Sequence, residues 1–496
     1  MEHAYPHPAQ RRLITVFTLA AAFMTQLDTT IANVALPHMQ ASTSASREQI
    51  TWVLTSYIIV AAIFTPLSGW LASRFGRKRL FVTSVAGFTI ASMLCGIAGN
   101  FEQLVLFRML QGMMGAALLP MSQAILLDIN PPERHGSAMA TWGLGVILGP
   151  ICGPILGGWL TEAMDWRWVF FINLPFGVVA VLGLMAFLPA FRDDNPVRLD
   201  LAGFALLAVA IGAFQLMLDR GQMLDWFESR EIWIEATIAA LAFYLFLVHT
   251  LTTPRPFVNL AIFRDRNFAV GSVFGFFLGG LMYSVMAMTA PLLSDLMGYP
   301  AVLVGVAMAP RGVGTLLMMP VVGALVNRHD PRLLIVAGMA ISGISTWMMA
   351  GFSLQMDARA VEVAGFVQGI GAAFLFVPVT TVVFATIPAH LRNQGTAMNS
   401  LIRALGGSVW ISALQSLTIR NEASVHSRLV EGARPDNPAM FHWGEVDFAS
   451  PPAQLRLDGE IGRQAMMVSY TDSFWLLFVI AFALTPLVLL LRTRRN

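Results

Sequence analysis

The sequence contains few charged residues. Asp, Glu, Lys and Arg together make up 12% of its 496 residues, about half of the roughly 25% that is usual in soluble domains. Hydrophobic residues make up 56%, and they are spread along the whole chain with a mean hydropathy of +0.66. Too few polar side chains remain to cover a water-exposed surface, so we predict a polytopic protein whose solvent is mostly the lipid bilayer.

Motifs of enzymes and of nucleotide-driven pumps are missing. The chain has no phosphate-binding Gly-Lys-Ser loop, no Cys or His spacing typical of a metal site, and no Ser-His-Asp order. Its two cysteines, Cys95 and Cys152, lie in separate apolar runs, which favours buried core residues over a disulfide framework. The net charge of +2 gives no reason to expect a nucleic-acid partner. We therefore predict that the protein is not an enzyme, holds no metal or cofactor, and is driven by an ion gradient.

Apolar stretches recur at the length that a helix needs to cross a bilayer. They predict an all-α integral membrane protein with 14 transmembrane helices, at residues 13–36, 50–72, 80–99, 104–127, 137–160, 168–190, 199–218, 231–252, 268–293, 302–325, 333–353, 359–386, 395–419 and 473–491. On this plan 18 Lys and Arg lie at the termini and in the loops of one side, against 5 in the short loops of the other. The positive-inside rule then predicts that the N-terminus (1–12) and the C-terminus (492–496) are cytoplasmic.

Internal repetition divides the chain into two halves. Residues 66–74 recur as 320–328, an offset of 254, and Gln111-Gly112 recurs as Gln368-Gly369, an offset of 257. Such repeats are typical of secondary transporters with a central site between two rocking halves. The predicted plan is an N-terminal six-helix half (13–190), two inserted helices (199–252), and a C-terminal six-helix half (268–491) that includes a polar external loop (420–470).

Two motifs carry a family resemblance. The loop Gly69-Trp-Leu-Ala-Ser-Arg-Phe-Gly-Arg-Lys-Arg79 resembles the loop signature of the major facilitator superfamily, G-x-L-a-D-r-x-G-r-k. The first span contains Leu27-Asp-Thr-Thr-Ile-Ala-Asn-Val-Ala-Leu-Pro37, which resembles the signature of the fourteen-span drug:proton antiporters of the EmrB/QacA type. The resemblance covers nearly the whole chain. It implies the major facilitator fold and proton-coupled efflux of hydrophobic drugs or toxic small molecules across a bacterial cytoplasmic (inner) membrane.

The loop signature implies a cytoplasmic gate. Its residues here are Gly69, Arg74, Gly76 and Arg77, and Asp128 in the next cytoplasmic loop is a candidate ion-pair partner. Ser73 stands where the family has an Asp that forms a salt-bridge latch. A basic cluster that only sets the orientation in the membrane is the alternative interpretation.

Asp28 is the main candidate for proton coupling. A carboxylate inside a span costs about 2.5–3.5 kcal/mol on insertion scales, so a transport role is the default hypothesis and a structural hydrogen bond is the alternative. The resemblance links Arg108 to proton transfer, whereas snorkelling to the outer interface is its alternative. The predicted substrate cavity contains Asp28, Thr29, Asn33, Gln111, Gln368, Arg311 and Arg403.

The fifth span resembles the antiporter signature of the family. Glycine recurs every fourth residue, and the spacing predicts that two prolines belong to the same stripe. We interpret the segment as an export-specific hinge, with close helix packing as the alternative. Its residues are Gly145, Gly149, Pro150, Gly153, Pro154, Gly157 and Gly158.

Two further points stay open at the level of sequence. The protein is an exporter of hydrophobic compounds, an exporter or facilitator of one metabolite, or a membrane sensor or enzyme built on the same bundle. For residues 420–470 the resemblance implies docking of a periplasmic membrane-fusion (EmrA-like) adaptor where the host has an outer membrane. The alternative is that this loop is a tolerated insertion with no partner.

Overall fold

The computed structural model describes residues 5–189, 199–388, 391–434 and 450–492. Regular structure in these ranges is helical, and they contain no β-strand. The α-helices are α1 (Pro8–Thr43), α2 (Arg47–Ile50), α3 (Trp52–Phe75), α4 (Arg77–Gly96), α5 (Phe101–Gly115), α6 (Leu118–Ile129), α7 (His135–Ala163), α8 (Trp168–Phe171), α9 (Asn173–Phe187), α10 (Leu201–Arg220), α11 (Arg230–Thr252), α12 (Arg266–Pro291), α13 (Ala301–Leu325), α14 (Pro331–Met349), α15 (Ala358–Ala385), α16 (Arg392–Gly432) and α17 (Pro451–Ala483).

The predicted all-α membrane fold is confirmed. In the described ranges, 13 helical segments are long and apolar enough to cross a bilayer, and they coincide with 13 of the predicted spans. The remaining predicted span, 395–419, lies within α16. Polar side chains such as Asn399 and Arg403 lower the hydropathy of this helix, and they are buried between helices, where lipid does not reach them.

Local chemistry explains where several helices begin and break. Asn100 caps α5, because its Oδ1 accepts a hydrogen bond of 2.8 Å from the Gln103 amide. The fourth span is divided into α5 and α6 just before Pro120. Proline has no amide donor and its ring clashes with the carbonyl four residues earlier, so the helix yields at this point.

The two halves meet through two contacts that the sequence repeat relates. Gly69 of α3 packs on α16, where an added Cβ would lie 3.2 Å from the Gln394 Cα. Gly323 of α13 packs on α7, where an added Cβ would lie 2.7 Å from the Ala140 Cβ. Both glycines therefore allow a close approach of helices at the interface between the halves.

The inserted helix α10 bridges the halves. Thr55 of α3 donates a hydrogen bond of 2.6 Å to Asp219 of α10. On the other side, Gln215 of α10 donates to Ser408 of α16 at 2.8 Å, and Ser412 of α16 donates to the Leu218 carbonyl at 2.8 Å. The second inserted helix, α11, packs against α10 and exposes large apolar side chains such as those of Leu241 and Tyr244, as a lipid-facing helix does.

Both ends of the predicted external loop, 420–470, are helical. Helix α16 continues to Gly432 and α17 begins at Pro451, so each extends well beyond its predicted span. The two extensions are joined by Asn421, which donates to Asp472 at 2.7 Å, and by a contact of 3.1 Å between His426 and Asp458. Their charged residues interrupt the apolar pattern by which spans are recognised. Residues 435–449 lie outside the described part of the chain.

Candidate functional site

Asp28 lies at the centre of a buried polar network. Its side chain has no exposed surface, and its two oxygens accept hydrogen bonds from three side chains on two other helices. Arg108 of α5 donates to Oδ2 at 2.7 Å, while Gln111 of α5 and Asn173 of α9 each donate to Oδ1 at 2.8 Å. A charge buried in low dielectric is tolerated when an opposite charge and hydrogen bonds compensate it, and Asp28 has both.

Arg108 is fully buried, so the snorkelling interpretation is wrong. Its Nε donates to the Val53 carbonyl at 3.0 Å, and its Nη1 also donates to Gln111 Oε1 at 2.8 Å. The ring of Tyr57 covers the guanidinium, with 4.3 Å between the Arg108 Cζ and the ring centroid. Arg108 points inward, where Asp28 supplies a counter-charge within hydrogen-bond distance.

Sequence reasoning missed Asn173. This residue begins α9 and is completely buried, and its Nδ2 also donates to Ser92 Oγ at 2.9 Å. Ser92 in turn donates to the Phe170 carbonyl at 2.8 Å. The available signal was a single amide side chain in an otherwise apolar run, Phe-Phe-Ile-Asn-Leu-Pro-Phe.

A cavity of about 160 Å³ lies between the two halves. Thr25, Gln26, Thr29 and Tyr57 line it from the N-terminal half, and Tyr283, Ser400, Arg403 and Ser408 line it from the C-terminal half. Asp28 and Gln111 do not line it. Tyr57 belongs both to the cavity wall and to the cover of Arg108, and it therefore separates the cavity from the buried network.

The residues predicted for the substrate cavity are thus dispersed. Thr29 and Arg403 line the central cavity. Asn33 is exposed and does not line it, whereas Gln368 is buried with neither amide atom hydrogen-bonded to a described residue. Arg311 lines a second cavity of about 80 Å³ between α7, α12 and α13.

Asp128 joins the two halves at the end of the bundle that carries the basic loop. It lies at the end of α6 and forms an ion pair with Arg77 of α4 in the same half. Arg392 of α16, in the other half, donates to Asp128 at 2.9 Å. Burial lowers the pKa of the Arg392 guanidinium, because it removes the charged group from solvent.

The other members of the loop signature play different structural parts. Gly76 adopts a φ of +86° in the turn between α3 and α4, a backbone conformation that favours glycine. Arg74 is exposed. Ser73 donates to the carbonyls of its own helix, at 2.8 Å for Trp70.

The glycines and prolines of α7 face different neighbours, so the idea of one shared stripe is wrong. An added Cβ at Gly149 would lie 2.6 Å from the Leu27 amide nitrogen, and one at Gly157 would lie 3.0 Å from Ile31 Cγ1. Gly145 and Gly153 likewise pack on α1, whereas Gly158 faces Val302 of α13. Pro150 and Pro154 line the second cavity, and α7 continues through both of them.

Comparison with known proteins gives one consistent result. The Major Facilitator Superfamily matches residues 18–411. The chain is 35% identical to the multidrug export protein EmrB of Escherichia coli K12, over 97% of this chain and 95% of that protein. It is also 35% identical to the fatty acid resistance protein FarB of Neisseria gonorrhoeae, over 96% of this chain and 95% of that one. Among solved structures, the proton:xylose symporter XylE shares the fold, with a TM-score of 0.61 over 96% of both chains at 14% identity.

Proposed function

The chain belongs to the major facilitator superfamily, as an EmrB-like multidrug exporter, and from this premise we propose that it exports hydrophobic drugs or toxic small molecules by proton-coupled alternating access. It is a multi-pass membrane transporter and not an enzyme. The names of its relatives, which cover multidrug export and fatty acid resistance, support a hydrophobic substrate. The positive-inside distribution supports cytoplasmic termini in a bacterial inner membrane.

The observation that supports proton coupling is the fully buried ion pair between Asp28 and Arg108. Protonation of Asp28 removes the counter-charge of Arg108, whose guanidinium has Tyr57 as its neighbour on the cavity side. A shift of Arg108 therefore displaces a residue of the cavity wall. The proton acts on the substrate through Tyr57, because Asp28 itself lies outside the central cavity.

The proton gradient supplies enough free energy for concentrative export. Each proton that enters down a membrane potential of 100 mV contributes about 2.3 kcal/mol. For a neutral substrate this corresponds to a concentration ratio of roughly fifty, since a factor of ten requires about 1.4 kcal/mol. The proposal needs no other cofactor.

The Asp128 contact is the proposed cytoplasmic gate. Arg77 and Arg392 come from different halves and share this carboxylate, so the two halves separate at this end only when the contact with Arg392 breaks. Asp128 thereby provides the acidic group that the position of Ser73 lacks. The prolines of α7 give that helix two places with a missing backbone hydrogen bond, and they are the proposed bending points.

The bending role has a specific test. Gly149→Leu is uninformative, because its side chain would collide with the α1 backbone. Pro150→Ala combined with Pro154→Ala restores two amide donors without adding bulk. We expect slower export at an unchanged amount of inserted protein, and an unchanged export rate would remove the hinge.

The helical extensions of α16 and α17 are a proposed docking surface for a periplasmic membrane-fusion (EmrA-like) adaptor. They form a paired, polar projection beyond the apolar bundle. Trp443 and His442, two candidate crosslinking positions in the predicted loop, lie outside the described residues. Leu429 and Leu455 are exposed positions on the extensions, and photo-crosslinkers there should capture the adaptor in whole cells. Failure at both positions would contradict adaptor docking.

The main experiment is Asp28→Asn in purified, reconstituted protein. We expect normal insertion, loss of proton-driven transport and loss of substrate-induced proton release. Asp165→Asn is the matched control, because the Asp165 carboxylate is exposed and its ion pair is with Arg167, outside the network. Proton-driven transport by the Asp28→Asn protein would show that Asp28 has only a structural role.

A further inference from the structure

The charges around the two cavities do not balance. Neither cavity is lined by an Asp or a Glu, and each is lined by one arginine, Arg403 in the central cavity and Arg311 in the second. No carboxylate of the described residues lies within ion-pair distance of either. Asp28, the buried acid of the N-terminal half, is already paired with Arg108.

Arg311 has an unused donor. Its Nη2 donates to the Met282 carbonyl at 2.6 Å, but its Nη1 is buried and has no partner among the described residues. A buried guanidinium without a counter-charge is costly, because each ion removed from water loses several kcal/mol of solvation. A ligand that brings a negative charge would recover part of this cost.

Arg403 of the central cavity also has no carboxylate partner among the described residues. It is 8% exposed, and the faces of two aromatic rings are its close neighbours, at 5.6 Å from the Trp142 centroid and 5.5 Å from the Phe376 centroid. These rings orient the guanidinium by cation–π interaction, and Arg403 lines the central cavity. Arginine in such a setting is suited to carboxylate or phosphate recognition.

The two arginines line neighbouring cavities that share one wall residue. Tyr283 of α12 lines both cavities and therefore stands between Arg403 and Arg311. The second cavity adds three flexible thioether side chains, Met282, Met286 and Met308. Methionines adapt to apolar groups of different shape. The two arginines thus lie next to an apolar wall that adapts to different shapes.

We propose that Arg403, Arg311 and Tyr283 form a binding site for the head of an amphiphilic anion, with its apolar tail against the methionines of the second cavity. The inference rests on the proposed function and narrows its substrate class to compounds with one negative charge. The same chemistry occurs in an exported amphiphile and in the headgroup of an anionic phospholipid, so the experiment must separate these sources.

Three probes with one tail test the site: decanoate, decanamide and decyltrimethylammonium. Binding is measured to the full-length protein in phosphatidylcholine nanodiscs, with empty nanodiscs as background and without a proton gradient. We expect decanoate to bind more tightly than decanamide, and the cation to bind most weakly. Equal affinity for decanoate and decanamide would overturn the proposal.

Substitutions identify the residues. Arg403→Gln and Arg311→Gln should each weaken decanoate binding by about tenfold or more, as expected for loss of a charged hydrogen bond, and change decanamide binding less than about twofold. Arg403→Lys should restore most of the decanoate affinity. Arg420→Gln is the control, because Arg420 is an exposed arginine on the same helix. An equal loss for decanoate and decanamide would mean that the arginines only support the fold, and would also overturn the proposal.

Lipid composition separates the two sources. Phosphatidylglycerol in the nanodisc should leave the decanoate affinity unchanged if the site takes an exported amphiphile. If instead it abolishes decanoate binding, and native mass spectrometry finds a phosphatidylglycerol that Arg403→Gln loses, the site takes a lipid headgroup and the substrate assignment is overturned.

The binding site and the proposed function can fail separately in these experiments. Asp28→Asn should abolish proton-driven transport and keep the arginine-dependent binding of decanoate. Transport with no preference for the anion would contradict this site alone, whereas arginine-dependent binding in a wild-type protein that transports nothing would contradict the proposed function alone.

Discussion

The N-terminal half pairs its intramembrane arginine with an acid, and the C-terminal half does not. Arg108 meets Asp28 at 2.7 Å, whereas Arg311 and Arg403 have no carboxylate partner among the described residues. Gln111 and Gln368, which the repeat places at equivalent positions, differ in the same way. Gln111 bonds to Asp28 and Arg108, while Gln368 bonds to no described residue.

The packing of the two halves is nevertheless alike. Gly112 touches the backbone of Tyr57 in the N-terminal half, and Gly369 touches the backbone of Arg311 in the C-terminal half. Glycine at these positions is required by helix contact, which both halves share. The same helix packing therefore supports a paired acid and arginine in the N-terminal half and arginines without a described carboxylate partner in the C-terminal half.

The largest expected difference is between Arg108→Met and Arg311→Met. The first leaves Asp28 buried without its cation, which should lower the free energy of unfolding by about 3–5 kcal/mol. The second removes a charge that has no counter-charge, so stability should stay the same or rise. Thermal unfolding of the purified proteins measures both, and Asp28→Asn should recover part of the Arg108→Met loss. Equal losses at the two arginines would break the comparison.

The paired glutamines should differ by a smaller amount. Gln111→Leu removes a donor to Asp28 and an acceptor from Arg108, and should cost about 1–3 kcal/mol. Gln368→Leu removes amide atoms that already lack partners, and should be neutral or stabilising. The same unfolding experiment compares them. A larger cost at Gln368 would mean that its amide has a partner in the working protein.

Asp128→Asn should loosen the contact between the halves. It removes the charge that Arg77 and Arg392 share. Loss of one charged hydrogen bond corresponds to about a tenfold shift toward the state open at this end. Labelling of a cysteine at Ser400, which lines the central cavity, by an impermeant thiol reagent from the cytoplasmic side measures the shift. Glu133→Gln, at an exposed acid of the same end, should have no effect.

The smallest expected effect tests the symmetry of packing. Gly323→Ala and Gly69→Ala each add one methyl group at equivalent contacts, at a cost of about 1 kcal/mol, the low end for overpacking. Gly323→Ala should raise Ser400 labelling more, because its Cβ would lie 2.7 Å from its neighbour against 3.2 Å at Gly69. The reverse order would show that closure depends more on the α3 contact than on the α7 contact.

Much of the fold could be predicted from the sequence, because a bilayer requires long apolar helices and their period is visible in the chain. The exceptions were the helices whose polar faces are buried or project into water. The span 395–419 of α16 was predicted from its apolar stretch, yet the extension of this helix to Gly432 was missed, because charged residues there remove the apolar signal. The helical start of α17 at Pro451 was missed for the same reason.

The candidate site was only partly predictable. Asp28 and Arg108 stand out as charges within spans, which is a local property of the sequence. Asn173 was missed because a single amide in an apolar run does not reveal its partner. Asn33 was assigned to the cavity because it shares a helix face with Asp28, but the neighbouring helices leave it exposed.

The sequence by itself determined the membrane environment, the approximate number of helices that cross it and the identity of the intramembrane charges. These properties depend on hydropathy, spacing and repetition, which are all linear in the chain. Only the tertiary structure decided which charges meet, because Asp28 and Arg108 lie on different helices and Tyr57 comes between them and the cavity. It likewise decided that the glycines of α7 contact α1 while its prolines line a cavity, since the direction of each face depends on the helices packed around it.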